Sequence, residues 1–417
     1  MLLKTILNRL ARHQSFVYGS AHWVGCDGRD ALEIPLQPRA NGRPRCSGCG
    51  QVRPGYDRLP PRRFQHVPLW GLAVFFLYAP RRVACPACGV KVEQLPWAEG
   101  KSRLTLAYQW FLAGWAKRLA WKEVAAVFHT SWSTVYRAVQ VAVAWGLEHR
   151  SLAGIEAIGV DEVQWQKGHH YLTLVYQIDP GCRRLLYIGR ERTAKSLLGF
   201  FRLLGPAGCR ALRFVCSDMW QPYLKVIAKK AGQALHVLDR FHIMAKLNRA
   251  IDEVRRAEVK RLQQDGHEPV LKHARWCLLK RPENLNDEQV VKMGTLLKYN
   301  LQSVRAWLQR EDFQRFWEYT SPTAAARFLK EWCARVMRSR LKPMQKVVRT
   351  LQRHEELILN WFRARGTISA GVVEGLNYNV KLTLRKAYGF QTETAIKTAL
   401  YHRLGALPEP EIAHSFC

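Results

Sequence analysis

The spacing of apolar residues changes along this chain from helical to strand-like and back to helical. Apolar positions follow helical spacing between Leu104 and His149, and charged helical patterns return from Phe241 to about Arg365. Between these regions, short runs of β-type residues predict strands at 157–163, 171–178, 185–189, 212–216 and 235–238. The pattern therefore predicts a central sheet that is flanked in the sequence by helices.

The predicted strands are joined in two different ways. Pro180 and Gly181 separate the second and third strands, which indicates a hairpin, whereas helices join the last strands. Three antiparallel strands followed by helix-linked strands is the order of a ribonuclease-H-like fold. We therefore expect an α/β chain with such a domain at 151–240 and 366–405, an α-helical insertion at 241–365 and a C-terminal tail at 406–417.

The beginning of the chain carries no clear element. Residues 1–45 alternate short polar and apolar pieces with Gly, Pro and Arg, which is typical of a mobile lead-in. No signal-type cleavage region follows the amphipathic stretch 1–10, and the longest apolar run, 69–79, is too short to cross a bilayer. We expect a cytoplasmic protein without a membrane span.

Two CxxC pairs stand out among the 11 cysteines: Cys46 with Cys49, and Cys85 with Cys88. Each CxxC turn directs two thiolates at one point, so two turns complete a closed tetrahedral site for a structural Zn²⁺. The alternative, four unrelated buried cysteines, does not account for the paired spacing. We predict a zinc ribbon at 46–100.

Residues 101–150 resemble a helix-turn-helix domain, with a first helix at 122–128 and a second from Ser131. Ser131 or Ser133 would cap the second helix. That helix would present Thr134 and Arg137 to a DNA groove. An ordinary helical pair has a similar pattern and is the alternative. The predicted core face of the second helix consists of Val135, Val139 and Val143.

The charge balance indicates a polyanionic partner. Lys and Arg total 65 against 33 Asp and Glu, a formal net charge of +32, and the basic residues are spread along the whole chain. A field of this sign attracts DNA or RNA over long distances. An anionic membrane surface would also attract it, but DNA or RNA is the leading partner.

Asp161 is the strongest candidate for a metal-binding acid. It lies inside the apolar first strand, where an isolated carboxylate costs free energy unless it is paired or binds a metal. A two-metal site for phosphoryl transfer needs several such converging carboxylates. The neighbouring Glu162 points to the opposite face of the strand, so we treat it as secondary.

Asp218 and Asp239 each end an apparent strand. Asp218 precedes a helix that begins near Pro222, which places the acid at a strand end, although capping of that helix is the alternative. Asp239 competes with it for a place in the site. His242 could assist Asp239, or both could simply close the strand.

Glu374 lies on a predicted helix, on one stripe with Asn377, Lys381 and Arg385. A solvated amphipathic face is the alternative, but glycines directly beside the acid are poor choices for a simple surface helix.

Taken together, several motifs resemble the ISL3 family of insertion-sequence transposases. The similar pieces are the cysteine pairs with Arg81-Arg82, Gly159-Val-Asp-Glu162, Ser217-Asp-Met219, Asp239-Arg-Phe-His242, Val373-Glu-Gly-Leu-Asn377 with Lys381, and Ala387-Tyr-Gly-Phe390. The chain departs from the expected pattern at Ala370, where a polar residue is more typical.

The resemblance implies a DDE-type catalytic domain in which Asp161, Asp218 and Glu374 hold Mg²⁺ or Mn²⁺. It implies cutting and joining of double-stranded DNA at the terminal inverted repeats of a mobile element and in target DNA. It further implies a bacterial, nucleoid-associated enzyme that works as a homodimer or larger homo-oligomer. We expect Thr134, Arg137, Asn377, Lys381 and Arg385 to contact DNA.

Two other functions remain open from the sequence. A non-catalytic DNA-binding regulator needs the ribbon and the helix-turn-helix but no set of carboxylates. A structure-specific nuclease with the same ribonuclease-H-like fold would hydrolyse DNA without joining it.

Overall fold

The computed structural model describes residues 3–26, 28–166, 168–267, 269–364, 370–386 and 390–411. The chain divides into two compact units, one formed by 1–150 with 383–417 and the other by 151–382. None of the described helices combines the length and the apolar composition that are needed to span a membrane.

The first unit begins with strands and continues with helices. Its elements up to residue 150 are α1 (Leu3–Leu10), β1 (Phe16–Tyr18), β2 (His22–Cys26), β3 (Arg29–Pro38), β4 (Gly55–Arg58), β5 (Arg62–Leu69), β6 (Leu72–Tyr78), β7 (Arg81–Cys85), β8 (Gly89–Val92), α2 (Leu106–Ala116), α3 (Trp121–Val127) and α4 (Trp132–His149). The strands form a five-stranded sheet, β1-β3-β6-β5 with β2 paired to β3, and a three-stranded sheet, β4-β7-β8.

The interpretation of residues 1–45 as a mobile lead-in is wrong. Strands β1, β2 and β3 belong to the five-stranded sheet, and Phe16, Ile34 and Phe76 are buried in its core. Sequence patterns missed these strands because they are short or interrupted: β3 contains Pro35 and a buried Glu33 that pairs with Arg63. Only the partner strand β6, which runs parallel to β3, gives the segment a core to cover.

The boundaries 46–100 for a zinc ribbon are also wrong in part. Strands β5 and β6 lie between the two cysteine pairs in sequence, but they pair with each other, and β6 pairs with β3 of the five-stranded sheet. The ribbon itself is the small β4-β7-β8 sheet with the turns beside it. An excursion into the other sheet therefore accounts for the long separation of the cysteine pairs.

Helices α2, α3 and α4 occupy the predicted helical region. Ser131 caps α4, because its hydroxyl accepts a hydrogen bond from the Thr134 N–H at 3.1 Å. The predicted core face is buried and Arg137 is exposed, which confirms how the helix is oriented within its unit. The buried face consists of Val135, Val139 and Val143.

The second unit is built on one five-stranded sheet. Its strands are β9 (Ala157–Gln166), β10 (His170–Asp179), β11 (Cys182–Arg190), β12 (Phe214–Ser217) and β13 (Leu235–Leu238). The order is β11-β10-β9-β12-β13, with antiparallel pairing among β9, β10 and β11 and parallel pairing of β12 with β9 and β13. The predicted strands and the hairpin are confirmed.

Two helices that connect strands of this sheet share a core with it. They are α5 (Ala194–Ala211) and α6 (Gln221–Lys230). Val160, Phe200, Tyr223 and Ile227 are members of this core, and all are nearly inaccessible to solvent. The burial of these apolar side chains holds both helices against the strands.

From residue 240 to the end of the second unit at Leu382, all described elements are helical, as predicted, and the last of these helices extends past Leu382. They are α7 (Arg240–Gln264), α8 (Arg275–Leu279), α9 (Asp287–Leu297), α10 (Gln302–Gln314), α11 (Pro322–Arg338), α12 (Lys342–Arg353), α13 (Glu355–Arg363) and α14 (Ala370–Lys386), with short 3₁₀ turns at Pro282–Asn284 and Arg315–Glu318. A common core holds the helices up to α13, and Trp332, one of its members, is fully buried. Helix α13 contacts the edge strand β13, so this core continues to the sheet.

The last helix, α15 (Glu393–Leu404), does not belong with the sheet, contrary to the expectation for 366–405. It lies in the first unit and contacts α4. The segment after it also packs there: a Cβ at Gly146 of α4 would lie 2.7 Å from Leu407 Cβ. Apolar contacts with α4, which sequence order does not reveal, decide where this helix lies.

Candidate active site

Asp161 lies near the middle of β9 and is 8% exposed. Its Oδ1 accepts a hydrogen bond from the Glu162 N–H at 2.7 Å, and its Oδ2 accepts one from the Asn377 side chain. His242 Nε2 lies 3.7 Å from Oδ1. The buried carboxylate is therefore satisfied by polar partners from β9, α7 and α14.

Helix α14 approaches the sheet closely beside Asp161. The Tyr176 hydroxyl on β10 donates to Asn377 Oδ1 at 2.7 Å, so Asn377 links β10 to Asp161. A Cβ at Gly159 of β9 would lie 2.5 Å from Val373 Cγ2, so only glycine allows this approach. The helix therefore needs both a small residue on β9 and a polar link to the strands.

Glu374 precedes Asn377 by about one helical turn and is exposed. Its charge contributes to raising the pKa of Asp239, after burial and Asp161, which places the two acids within electrostatic reach. The helix that carries Glu374 is joined to the sheet through the hydrogen bond between Asn377 and Asp161. The sequence had instead predicted that Asn377 contacts DNA.

Asp218, directly after β12, forms an ion pair with Arg192. Arg192 Nη2 lies 2.7 Å from Asp218 Oδ2 and 2.8 Å from Glu162 Oε1, and the guanidinium carbon lies 4.7 Å from the centre of the Trp220 ring. The other oxygen of Asp218 accepts a hydrogen bond from the Trp220 N–H at 3.0 Å. Asp218 therefore supports the turn before α6, but the N-cap position belongs to Trp220.

Glu162, which we ranked as secondary from the sequence, lies near Asp161 and Asp218. We call these three acids, together with Asp239 and Glu374, the carboxylate cluster. Burial, followed by the charge of Asp218, raises its pKa to about 7. Its Oε2 is buried, and no described group forms a hydrogen bond with it. A buried oxygen without a partner is rare and indicates that a hydrogen-bond donor or a cation belongs there.

Asp239 and His242 both lie just after β13 and contact other members of the candidate site, the two possibilities that the sequence left open. Asp239 caps α7 by accepting a hydrogen bond from the Phe241 N–H at 2.8 Å, and burial raises its pKa to about 6. His242 Nε2 lies 3.9 Å from Asp239 Oδ2. Contact with Asp161 raises the pKa of His242 to about 9, which favours the imidazolium at neutral pH.

Of the two predicted metal centres, the structure brings together only the cysteines. Within the described ranges, Cys46, Cys49, Cys85 and Cys88 are the one group of three or more metal-type ligands whose atoms all lie within 4.8 Å of one another. Although burial opposes ionisation, hydrogen bonds from backbone N–H groups of Ala87 and Cys88 lower the pKa of Cys85 to about 6. This thiolate cluster fits a structural Zn²⁺.

The carboxylates fit a divalent ion by donor chemistry, but protein side chains bond several of their oxygens. Their oxygens are the hard ligands that Mg²⁺ and Mn²⁺ prefer, and Glu162 Oε2 is unsatisfied. Arg192, Asn377 and His242 now neutralise or bond these acids.

The remaining residues predicted to contact DNA lie on helix surfaces. Arg137 on α4 is exposed and Thr134 is half-buried, while Lys381 and Arg385 on α14 are exposed. Asn377 lies instead within the carboxylate cluster, and its contact with DNA stays a prediction.

Sequence reasoning missed Arg192 and Tyr176. Arg192 ends the charged run Gly189-Arg-Glu-Arg192, which begins in the last two residues of β11 and precedes the helix-capping Thr193. This is the same strand-end signal that identified Asp218. Tyr176 gave no signal, because an aromatic residue in a buried strand is typical of core packing.

Comparison with known proteins identifies the family. A family model described as a transposase, of the ISL3 type, matches residues 158–400, a segment that includes Asp161, Asp218 and Glu374. The chain belongs to the ISL3 family of transposases. The family resemblance drawn from the motifs is therefore confirmed.

Relatives of this ISL3-family member extend over nearly its whole length. The transposase for insertion sequence element IS1001 of Bordetella parapertussis is 28% identical over 396 residues, which cover 94% of this chain and 96% of the relative. The transposase for insertion sequence element IS1557 of Mycobacterium tuberculosis is 26% identical over 395 residues, covering 87% of this chain and 86% of the relative. Members of a transposase family are enzymes that act on DNA.

Proposed function

We propose that this chain cuts DNA at the terminal inverted repeats of an insertion sequence and joins the ends to target DNA in a metal-dependent reaction. Asp161, Asp218 and Glu374 are the proposed metal ligands. The observation that carries the proposal is the link from α14 to the sheet: Asn377, one turn beyond Glu374, donates to Asp161. Three acids distant in sequence are thereby joined to one sheet.

We infer that the sheet is of the ribonuclease-H-like type. Three antiparallel strands, with a fourth and a fifth parallel strand added beside the first, support this inference. Asp161 on the first strand and Asp218 at the end of the fourth lie on neighbouring strands, because β12 pairs with β9. Neighbouring strands are the arrangement that a shared metal site needs.

Bound Mg²⁺ or Mn²⁺ ions would activate the attacking oxygen and stabilise the departing oxygen. The residues of the chain prepare the site for this task. Asn377 and the Glu162 N–H orient Asp161, and Arg192 holds Asp218. His242, with its raised pKa, supplies a positive charge beside Asp161. Lys381 extends the same helix and would contact a phosphate of the bound strand.

DNA recognition is proposed for the other predicted elements. The zinc ribbon and helices α3 and α4 would bind the element ends, with Thr134 and Arg137 in a groove and Arg385 on the backbone. The positively charged helical insertion would hold DNA near the carboxylates. Because two ends must be processed together, we propose a homodimer or larger oligomer on DNA.

The decisive experiment mixes purified protein, Mg²⁺, a target plasmid and a duplex that carries the inverted repeats flanking the gene. We expect nicked element ends and joined products from the wild type. In Asp161→Asn, we expect the cleavage rate to fall by about three orders of magnitude, because one metal-binding charge is lost. Glu156→Gln, an exposed acid just before β9, is the matched control and should cleave normally.

Each alternative function predicts a different pattern. Cleavage without joined products would favour a structure-specific nuclease, and repeat-specific binding without cleavage would favour a regulator. Cleavage by Asp161→Asn at the wild-type rate would remove Asp161 from the active site.

A further inference from the structure

A groove of about 520 Å³ runs between helices α5 and α6 on the second unit. Ala194 and Leu198 of α5 and Val226 of α6 provide its apolar lining. The floor of the groove is the outer side of the core that these helices share with the sheet, since Val226 belongs to that core and Ala194 and Leu198 pack against it. It lies outside every region that the sequence assigned to DNA binding.

Four cations line this groove and no acid does. They are Arg202, Lys225, Lys229 and Lys230, and all are exposed. Across the described residues, no carboxylate lies within ion-pair distance of any of them, whereas many other arginines of this unit are paired. Lys225 and Lys229 stand one helical turn apart, an arrangement that destabilises an isolated helix by repulsion. A bound anion would remove that repulsion.

The groove opens beside the carboxylate cluster. Gln221 and Pro222, which line it, begin α6 only a few residues after Asp218. Ala194, which lines the other wall, begins α5 just after Arg192, the partner of Asp218. A polyanion whose reacting phosphate lies at Asp218 would therefore reach these cations with its neighbouring phosphates.

We propose that the α5–α6 groove binds the sugar–phosphate backbone of duplex DNA next to the bond that is cut. This inference rests on the proposed function, because that function places a DNA phosphate at Asp218. Three of the four cations are lysines, whose ammonium groups contact phosphates as point charges, so we expect the groove to hold DNA in position without selecting its sequence. The groove thus explains why basic residues accumulate on helices outside the predicted DNA-binding domains.

The test measures how binding depends on salt. Dissociation constants of the full chain for a fluorescent terminal-repeat duplex and for an unrelated duplex are determined between 50 and 300 mM KCl, without divalent ions. The logarithm of the binding constant falls as the logarithm of the salt concentration rises, and each lost phosphate contact makes this slope less steep by about 0.9 for duplex DNA. A lower slope here means a less steep one. We expect Lys225→Ala/Lys229→Ala to lower the slope by about 2 on both duplexes equally.

Two control variants and one further test variant complete the experiment. Lys225→Arg/Lys229→Arg keeps both charges and should keep the wild-type slope. Arg183→Ala removes an exposed cation at the β10–β11 hairpin and should also leave the slope unchanged. Arg202→Ala tests the opposite wall and should lower the slope by about 1. Thermal unfolding of each variant identifies any that fail to fold, in which case Arg202→Ala alone decides.

A wild-type slope in both Lys225→Ala/Lys229→Ala and Arg202→Ala would overturn the groove proposal, even if the wild type cleaves and joins DNA. Loss of affinity for the terminal repeat alone would also overturn it, since phosphate contacts weaken all sequences alike. Conversely, a lower slope in a protein that never cleaves would contradict the proposed function and leave the groove intact.

Discussion

The cysteine cluster and the carboxylate cluster both bring ionisable groups close together, but they differ in the protein groups that surround them. Each pair of cysteines comes from one tight turn, the four sulfurs lie within 4.8 Å of one another, and Arg53 is hydrogen-bonded to Cys85 and Cys49. The carboxylates come from β9, β12 and α14, and Arg192, Asn377 and His242 stand among them. In the first cluster all four sulfurs can reach one metal ion, while in the second three protein side chains already bond the acids.

This difference matches the role that we propose for each centre. A structural site gains by closing completely around one ion, since its binding free energy is folding free energy. An active site has to stay open to substrate, so its acids need protein partners that stabilise them when no metal is bound. We therefore expect the two centres to respond differently to the loss of a ligand, of a counter-charge or of a proton.

The largest effect is expected at the cysteines. Cys49→Ser removes one of the four proposed zinc ligands. In peptides with a structural zinc site, zinc binding contributes on the order of 10 kcal/mol to folding. We expect loss of the bound zinc, measured by elemental analysis, and rapid proteolysis between residues 46 and 93. Cys182→Ser, a half-buried cysteine outside the cluster, should keep about one zinc per chain. Full zinc content in Cys49→Ser would show that Cys49 is not a zinc ligand.

The next effect concerns the counter-charge. Arg192→Ala leaves Glu162 and Asp218 as unpaired neighbours, and we expect the free energy of unfolding in EDTA to fall by about 2 kcal/mol. Because a divalent ion can replace the lost charge, Mg²⁺ should restore part of this stability. Urea titration with and without Mg²⁺ measures both values.

The control for this change is Arg213→Ala, which removes an exposed ion pair with Glu156 and should cost less than about 0.5 kcal/mol. An equal loss for Arg192→Ala with and without Mg²⁺ would mean that Arg192 supports the fold only and does not compensate for an absent metal.

A smaller effect is expected from pH. Burial and Asp218 raise the pKa of Glu162 to about 7, so a proton has to leave before the carboxylate can bind a cation. We expect Mn²⁺ affinity to rise by roughly tenfold from pH 6 to pH 8, since the deprotonated fraction rises about tenfold. Calorimetry in buffers of different ionisation enthalpy should detect the released proton. A pH dependence that persists unchanged in Glu162→Gln would assign the proton to another group.

The smallest effect tests the link to α14. Tyr176→Phe removes the hydroxyl that donates to Asn377, which should cost about 1 kcal/mol and increase hydrogen exchange in residues 370–382. Tyr223→Phe is the matched control, because its hydroxyl forms a hydrogen bond with Thr173 on β10. It should cost a similar amount without changing exchange in α14. Identical exchange in the two variants would contradict the positioning role of Tyr176.

The sequence by itself determined whatever depends on neighbours along the chain. The five strands of the central sheet and the helical region before them follow from local periodicity, and hydrogen-bonding chemistry narrowed the cap of α4 to Ser131 or Ser133. The CxxC pairs are local in the same sense, so their four sulfurs could be assigned to one centre without a fold. The buried position of Asp161 also followed, since an acid inside an apolar strand has few explanations.

Only the tertiary structure decided which distant residues meet. The interrupted pattern of β3 forms a strand because β3 pairs with β6. Helix α15 lies outside the predicted catalytic domain because it packs against α4. Arg192 meets Asp218 because β11 and β12 place their ends on the same edge of one sheet, and Asn377 meets Asp161 because Gly159 lets α14 come close. Contacts of this kind depend on strand order and on close packing between elements far apart in sequence, and neither has a local signal.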